Sequence, residues 1–192
     1  MSALDDPLAE KASLRERMSA RRRQVSSAQR TDCSIAISNA IIELEEFRDA
    51  TTVAAYLPLP GEIDPMPTLC HAADCGKETA VPRVISAGVM ELRAWRPGEA
   101  TEVGRGHVRQ PTASSRSARI DARTLIIVPL LACDSEGIRL GFGGGFYDRL
   151  LAGSAGFRVG VGYSWQQVSR CPREAHDIPL HGLVTENGFF RF

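Results

Sequence analysis

Apolar residues recur along the first quarter of the chain at the spacing that is expected of α-helices. In residues 10–23 this spacing places Leu14 and Met18 on one face and predicts a first helix. A second helix is predicted over residues 27–47. Its broad apolar stripe consists of Ile35, Ile37, Ala40, Ile41, Leu44 and Phe47.

Beyond the second helix, apolar runs of strand length alternate with short helical segments. The predicted strands are residues 51–56, 78–84, 90–95, 124–133, 157–163 and 183–185. The predicted helices are residues 146–152, residues 164–170 and a helix that begins at residue 65 or 67 and ends near residue 76. Residues 97–123 are predicted to be irregular and are either a candidate lid or a surface loop. The alternation indicates an α/β fold, a single-domain three-layer sandwich over residues 10–192. Its sheet is predicted to be mixed and mostly parallel, with helices on both faces, and residues 1–9 are predicted to be a flexible tail.

Composition narrows the class of protein. The chain has 192 residues, of which 43% are hydrophobic, and its 23 basic and 23 acidic residues leave no net charge. This balance argues against a nucleic-acid partner, because proteins that bind nucleic acid generally have an excess of basic residues. No apolar run approaches the roughly 18 residues of a membrane span, so no membrane association is expected. The five cysteines are odd in number and scattered, which indicates a reduced, cytoplasmic protein.

The densest group of glycines lies in residues 141–145, where four of five positions are glycine. Glycine lets backbone N–H groups approach a ligand closely, and the start of the following helix adds donors that favour phosphate. Arg139 offers a planar fork for phosphate oxygens, and Asp148 can hold a divalent cation. The segment matches neither the dinucleotide fingerprint nor the P-loop. A glycine-rich turn chosen for packing is the alternative interpretation.

Two carboxylates, Glu62 and Asp64, lie on a proline-rich loop after the first predicted strand. They are candidates for holding a polar ligand group, and solvated loop charges or helix caps are the alternative. Ligands bind at the carboxyl ends of strands in open α/β sheets. This loop and the glycine segment therefore stand out as the two candidate ligand-binding loops.

Charged residues on the first helix and near the C-terminus are ambiguous. Lys11 and Arg15 lie four positions apart and share a helix face, which is either a ligand contact or a solvated basic face. The three arginines at residues 21–23 are predicted to be a solvated face. His176 lies between carboxylates in residues 174–177 and is either a base or a structural histidine. No serine or cysteine lies in a nucleophile motif, so covalent hydrolase chemistry has no support.

Several separated segments, taken together in chain order, resemble one family. They are residues 11–15, 60–64, 82–84 and 128–130, then residues 139–148, Gln166, residues 174–177 and residues 185–186. The family that they resemble is the 5-formyltetrahydrofolate cyclo-ligases, also called 5,10-methenyltetrahydrofolate synthetases. The resemblance extends over roughly residues 10 to 190, and the glycine segment is its most specific part.

The resemblance implies an ATP-dependent cyclisation that also needs Mg²⁺. Enzymes of this family convert 5-formyltetrahydrofolate, possibly polyglutamylated, into 5,10-methenyltetrahydrofolate, ADP and phosphate. The γ-phosphoryl group passes to the formyl oxygen and gives an N5-iminium phosphate. N10 then attacks that carbon and phosphate leaves. Phosphorylation is needed because a formamide oxygen is a poor leaving group, and catalysis of such a transfer is mostly positioning and charge stabilisation.

The resemblance also implies roles for individual residues. Lys11 and Arg15 resemble the family's N-terminal pair that contacts ATP. The ATP-binding loop would consist of Arg139, Leu140, Gly141, Phe142, Gly143, Gly144, Gly145, Phe146 and Tyr147. The implied magnesium ligands are Asp148 and Asp177, the implied folate contacts are Leu57, Glu62, Phe142 and Phe146, and the implied catalytic residues are Arg139, Tyr147 and Asp148.

The sequence departs from the family pattern at three places. Phe142 and Phe146 stand where relatives often have tyrosine, and Arg109-Gln110-Pro111 stands where a Glu-Pro pair is usual. The departure at residues 109–111 puts lid behaviour or the folate polyglutamate contact in doubt. The alternative function is a folate- or nucleotide-binding regulator on the same fold that has lost turnover.

Overall fold

The computed structural model describes residues 7–104 and 108–192 of the chain. Within those ranges the helices are α1 (Pro7–Arg22), α2 (Ser27–Ile42), α3 (Glu45–Asp49), α4 (Met66–Asp74) and α5 (Phe146–Leu151), with a 3-10 turn at Ser164–Gln166. The strands are β1 (Thr52–Ala54), β2 (Glu78–Ser86), β3 (Val89–Ala94), β4 (Thr101–Val103), β5 (Arg109–Pro111), β6 (Thr124–Pro129), β7 (Ala132–Cys133), β8 (Arg139–Leu140), β9 (Phe157–Val161), β10 (Gly182–Thr185) and β11 (Gly188–Arg191).

Seven of these strands form the main sheet in the order β11-β10-β9-β6-β1-β2-β3. The pairs from β2 through β1, β6 and β9 to β10 are parallel. The edge strands β3 and β11 run antiparallel to their neighbours. The prediction of a mixed, mostly parallel sheet is therefore confirmed. Two small antiparallel pairs, β4 with β5 and β7 with β8, lie outside this sheet.

Side chains of the central strands alternate between two cores, as the pleat of a strand requires. Val53, Leu125 and Ile127 pack in one core that also contains residues of α2, α3 and α4. Ala54 and Ile126, one position along, pack in a second core that contains the side chain of Leu151 from α5. Helices thus lie on both faces, as predicted.

Two predicted elements are interrupted in the structure. The helix predicted over residues 27–47 is two helices, because Leu44 takes an extended conformation with ψ of 141°. The strand predicted over residues 124–133 ends at Pro129. The carbonyls of Leu130 and Leu131 leave the sheet and accept hydrogen bonds of 2.9 and 3.0 Å from the Gln166 side chain. Apolar periodicity missed both breaks, because the apolar residues that flank them stay buried: Ile41, Leu44 and Phe47 at the first break, and Leu130 and Leu131 at the second.

Other boundaries also differ from the prediction. The first helix begins at Pro7, three residues earlier than predicted, so residues 7–9 of the predicted tail are helical. Residues 1–6 of that tail lie outside the described ranges. Residues 97–123 contain the β4–β5 pair, so this region is partly regular, and residues 105–107 lie outside the described ranges. The helix predicted over residues 164–170 is only the 3-10 turn. In the described ranges no helix combines the length and the apolar character that a bilayer crossing requires.

The strand order places a crevice beside β1 and β6. The chain moves from β1 outward to β2 and β3, and from β6 outward in the opposite direction to β9 and β10. A sheet of this kind has its ligand crevice at the carboxyl ends of the two strands where the direction reverses. The loop after β1 and the segment after β6 therefore flank this crevice.

Candidate active site

A cavity of about 560 Å³ occupies this crevice. Every residue that the family resemblance implied for the site lines it: Lys11, Arg15, Leu57, Glu62, Arg139, Leu140, Gly141, Phe142, Gly143, Gly144, Gly145, Phe146, Tyr147, Asp148 and Asp177. A second cavity of about 580 Å³ near the opposite ends of the strands is lined by none of them. Asp64 lies outside the first cavity, and its carboxylate accepts a 2.9 Å hydrogen bond from the amide of Met66 at the start of α4. The capping interpretation therefore holds for Asp64.

One end of the cavity contains the ammonium group of Lys11, whose residue is only 3% exposed. Its Nζ donates to Glu174 Oε2 at 2.8 Å and to Asp177 Oδ2 at 2.7 Å. Burial would lower the pKa of Lys11, but the two carboxylates raise it above its ordinary value. Burial would likewise raise the pKa of Asp177, but Lys11 and the Glu174 amide bring it below its ordinary value. Lys11 is therefore charged, and it contacts two carboxyl groups.

Arg139 forms a second group of charges beside the first. Its Nη1 donates to the carbonyl of Ile178 at 2.6 Å, and its Nη2 donates to Asp148 Oδ1 at 2.9 Å. The same Asp148 oxygen accepts a 3.1 Å hydrogen bond from the amide of Ile178. Arg139 thus ties α5 to the segment that follows Asp177, which brings the two predicted magnesium ligands to one end of the cavity.

The glycine segment lies between two arginines. Arg15 Nε donates to the carbonyl of Gly141 at 3.0 Å. On the other side, Arg149 donates to the carbonyl of Gly144 and to that of Gly88, in the turn between β2 and β3. Gly145 has φ of 63°, in the left-handed region where glycine is the favoured residue. The loop conformation therefore depends on glycine at this position and on side chains from two other elements.

The other end of the cavity is apolar and contains one buried carboxylate. Glu62 is 5% exposed, and its Oε2 accepts a 2.8 Å hydrogen bond from the amide of Leu59. Burial raises the pKa of Glu62 above its ordinary value, although Leu59 and Arg22 act in the opposite direction. The surrounding wall consists of Tyr56, Leu57, Leu59, Pro82, Val84, Met90, Phe146 and Tyr147. This end suits a flat, largely apolar ligand with polar N–H groups for the carboxylate.

Arg22 was expected on a solvated face, and the structure overturns that expectation. Arg21 and Arg23 are not buried, but Arg22 is only 8% exposed and its Nη1 lies 3.2 Å from Glu62 Oε1. The helical periodicity could have found it. Arg22 follows Lys11 by eleven residues and Arg15 by seven, so all three point within about 40° of one direction on an ideal helix. The prediction extended this face only as far as Arg15.

Three possible metal ligands lie together at the charged end. The ligand atoms of Glu174, His176 and Asp177 lie within 4.8 Å of one another. Carboxylate oxygens are ligands that Mg²⁺ prefers, and this ion usually takes one or two of them together with phosphate oxygens and waters. Because Lys11 already contacts Glu174 and Asp177, the group fits a magnesium ion that arrives with phosphate charge for Lys11 to pair with.

An open α/β sheet with a cavity at its switch point, charged at one end and apolar at the other, defines a protein that binds small molecules. The model of the 5-formyltetrahydrofolate cyclo-ligase family matches residues 7–186. The 5-formyltetrahydrofolate cyclo-ligase of Escherichia coli (strain K12) is 34% identical over 145 residues, which cover 71% of this chain and 78% of that protein. This chain belongs to the 5-formyltetrahydrofolate cyclo-ligase family.

Solved structures agree with this assignment. The NMR structure of the 5,10-methenyltetrahydrofolate synthetase of Aquifex aeolicus is 35% identical and matches with a TM-score of 0.83, covering 94% of this chain and 92% of that one. The 5,10-methenyltetrahydrofolate synthetase of Mycoplasma pneumoniae matches with a TM-score of 0.74 at 18% identity, which shows the shared fold alone. The family resemblance that was read from the sequence is confirmed.

Proposed function

We propose that this protein converts 5-formyltetrahydrofolate into 5,10-methenyltetrahydrofolate and consumes Mg-ATP, with release of ADP and phosphate. The observation that carries the proposal is that a single cavity joins the cation-bearing glycine segment to an apolar wall with a buried carboxylate. A phosphoryl donor and a folate can therefore meet inside it. The names of the relatives support the same substrate and product.

The proposed roles follow from the two ends of the cavity. Lys11, Arg15 and the backbone amides of residues 141–145 would bind the phosphate groups. Asp177 and Asp148, with Glu174 beside them, would hold Mg²⁺, which neutralises phosphate charge when it is bound. Arg139 would keep Asp148 oriented and would stabilise charge on the transferred phosphoryl group.

At the apolar end, Glu62 would accept hydrogen bonds from N–H groups of the folate ring, with Leu57 packing beside that ring. Phe142, Phe146 and Tyr147 would form the wall between the folate and the nucleotide. Burial raises the pKa of Tyr147 well above its ordinary value, so its hydroxyl stays protonated. The proposed chemistry needs no protein nucleophile, because the formyl oxygen receives the phosphoryl group and N10 displaces it as phosphate.

The proposed compartment is the cytoplasm, and the proposed partners are small molecules rather than nucleic acid. All five cysteines are free thiols, which suits a reducing compartment. The zero net charge gives no general attraction to nucleic acid. A polyglutamate tail on the folate is compatible with the proposal, with Arg109 of β5 on the cavity lining.

The test is the near-ultraviolet absorbance of the methenyl product. Purified protein is mixed with 5-formyltetrahydrofolate, with and without ATP and with and without Mg²⁺. A rise that needs both ATP and Mg²⁺ is the expected result. No rise, together with folate binding in calorimetry, would contradict the proposal and favour the alternative of a binding protein without turnover.

A further inference from the structure

The side chain of Arg22, at the end of α1, links two parts of the cavity that come from distant segments of the chain. Its guanidinium forms an ion pair with Glu62, on the loop after β1. The same guanidinium lies over the ring of Phe142, in the glycine segment, with 4.8 Å between the guanidinium carbon and the ring centroid. Phe142 is 51% exposed, so its ring has few other neighbours to hold it.

The backbone around this ion pair also fixes Arg22 against the loop. Gly61 has φ of 79°, and a Cβ at that position would lie 3.2 Å from both the Cγ and the carbonyl oxygen of Arg22. The end of α1 and the loop that bears Glu62 are therefore in close contact. The loop is further held by Tyr163, whose hydroxyl donates to the carbonyl of Gly61 at 3.1 Å.

The surroundings of Glu62 show why a cation is needed there. In the described ranges, Arg22 is the one cationic side chain within ion-pair distance of Glu62. The titratable groups that also face it are the hydroxyls of Tyr56 and Tyr147, whose pKa values are raised and which are neutral. A buried carboxylate without its partner costs several kcal/mol and takes up a proton instead. A protonated Glu62 would offer folate N–H groups a poorer acceptor.

We propose that Arg22 is a positioning residue for the folate end of the site: it holds Glu62 as an oriented carboxylate and stacks on Phe142. This inference rests on the function proposed above, because it assigns the role of Arg22 through the folate contact of Glu62. Arg22 itself acts through its two neighbours and is given no contact with the reacting atoms.

The test compares Arg22→Gln with Arg23→Gln, which removes the same charge from an exposed side chain one position along the chain. Folate binding is measured by calorimetry from mildly acidic to mildly alkaline pH, and Mg-ATP binding is measured in parallel. In Arg22→Gln we expect the Kd for 5-formyltetrahydrofolate to rise by about ten-fold or more, with the acid limb of binding moved to higher pH. Arg23→Gln is expected to behave as wild type, and Arg22→Lys is expected to recover part of the affinity.

A ligand-free measurement keeps this inference separate from the proposed function. The Glu62 carboxyl carbon is followed by ¹³C NMR against pH and assigned by its loss in Glu62→Gln. The expected result is a higher pKa in Arg22→Gln than in wild type, whether or not wild type binds folate or turns it over. If Arg22→Gln does not fold, Arg22→Lys is titrated in its place, and there too we expect a changed pKa.

Three results would overturn the proposal. One is an unchanged Glu62 titration in a folded Arg22 variant. Another is an unchanged folate Kd in Arg22→Gln when wild type binds folate. The third is an equal loss of folate and Mg-ATP affinity with no change in pH dependence, because that pattern indicates a structural role alone.

Discussion

The two ends of the cavity are built differently, although both combine buried charges of opposite sign. At the glycine-segment end, Lys11 and Arg139 each contact carboxylates, so several ionic groups neutralise one another. At the other end, one carboxylate with one arginine lies in an apolar wall. The first arrangement can exchange partners when a phosphate and a cation arrive. The second is already complete and offers a ligand a fixed acceptor.

This difference separates two ways in which a site is prepared for its ligands. Charged groups that are paired in the free protein stabilise each other's charge. A ligand that binds them has to replace those ion-pair contacts. A fixed acceptor in an apolar wall loses little on binding, because its orientation exists before the ligand arrives. We therefore expect substitutions at the two ends to affect different ligands and to have different pH dependence.

The largest effect is expected for Lys11→Met. The change leaves Glu174 and Asp177 side by side without their common cation, and it removes a positive charge from the proposed phosphate site. Turnover is expected to fall by roughly 10²- to 10³-fold, with Mg-ATP binding weakened and folate binding changed little. Steady-state kinetics and calorimetry with each ligand measure the two effects separately.

Arg17→Met is the control for this substitution, because it removes a cation from an exposed position of the same helix. It is expected to keep wild-type turnover. Equal losses of folate and Mg-ATP affinity in Lys11→Met would break the contrast between the ends, because the two ligands would then depend on the same charge.

Glu62→Gln is expected to have the next largest effect, and at the other end of the cavity. The amide keeps the shape of the side chain but removes a charged acceptor, and hydrogen bonds to charged groups contribute about 1.5–3 kcal/mol. The Kd for folate is expected to rise about ten- to one hundred-fold, whereas the Kd for Mg-ATP stays within a few-fold. Asp64→Asn, on the same loop but outside the cavity, is the control. A larger loss of ATP affinity than of folate affinity would contradict the assignment.

The charged end was easier to predict from sequence than the interactions within it. Helical spacing places Lys11 and Arg15 on one face, and the glycine segment predicts a loop that approaches a ligand closely. The pairing of Lys11 with Glu174 and Asp177 joins residues more than 160 positions apart, and no local pattern reports such a contact. The ion pair between Arg22 and Glu62 was likewise not predictable from a local pattern. Helical spacing could, however, have placed Arg22 on the same helix face as Lys11 and Arg15.

The fold was predicted at the level of the sheet, because each central strand is a short apolar run whose burial leaves little choice of structure. The breaks at Leu44 and after Pro129 were missed for the same reason. The apolar residues on both sides of each break stay buried, so the apolar pattern does not record the change of backbone direction. The turn of the chain after Pro129 depends on the side chain of Gln166, which is distant in sequence.

A smaller effect is expected for Gly145→Ala, which tests how rigidly the charged end is held. Alanine at φ of 63° costs roughly 1 kcal/mol, and its Cβ would lie 2.7 Å from Nη1 of Arg149. Gly76→Ala is the matched control, since Gly76 has φ of 76° with no atom within 4 Å of an added Cβ and does not line the cavity. In urea unfolding Gly145→Ala is expected to lose more stability than Gly76→Ala, because its Cβ also displaces Arg149, and only Gly145→Ala should weaken Mg-ATP binding.

The smallest effect, and the one that most directly compares the ends, is the pH dependence of stability. The folded-state pKa of Asp177 lies below its ordinary value of 3.8, whereas that of Glu62 lies above its ordinary value of 4.5. Ionised Asp177 therefore adds stability that is present above 3.8 and is lost as the pH falls through the lowered pKa. Glu62 does the reverse: its contribution is present below 4.5 and is lost as the pH rises through the raised pKa.

Urea unfolding of wild type, Asp177→Asn and Glu62→Gln across acidic and neutral pH measures both contributions. The stability of wild type relative to Asp177→Asn should increase as the pH rises, and its stability relative to Glu62→Gln should decrease. Each variant removes one titrating group. The difference in the free energy of unfolding between wild type and that variant therefore changes with pH only through the group that was removed. Slopes of the same sign would mean that both carboxylates are stabilised, or both destabilised, by their surroundings. The contrast between an end of exchangeable ion pairs and an end with one buried acceptor would then be wrong.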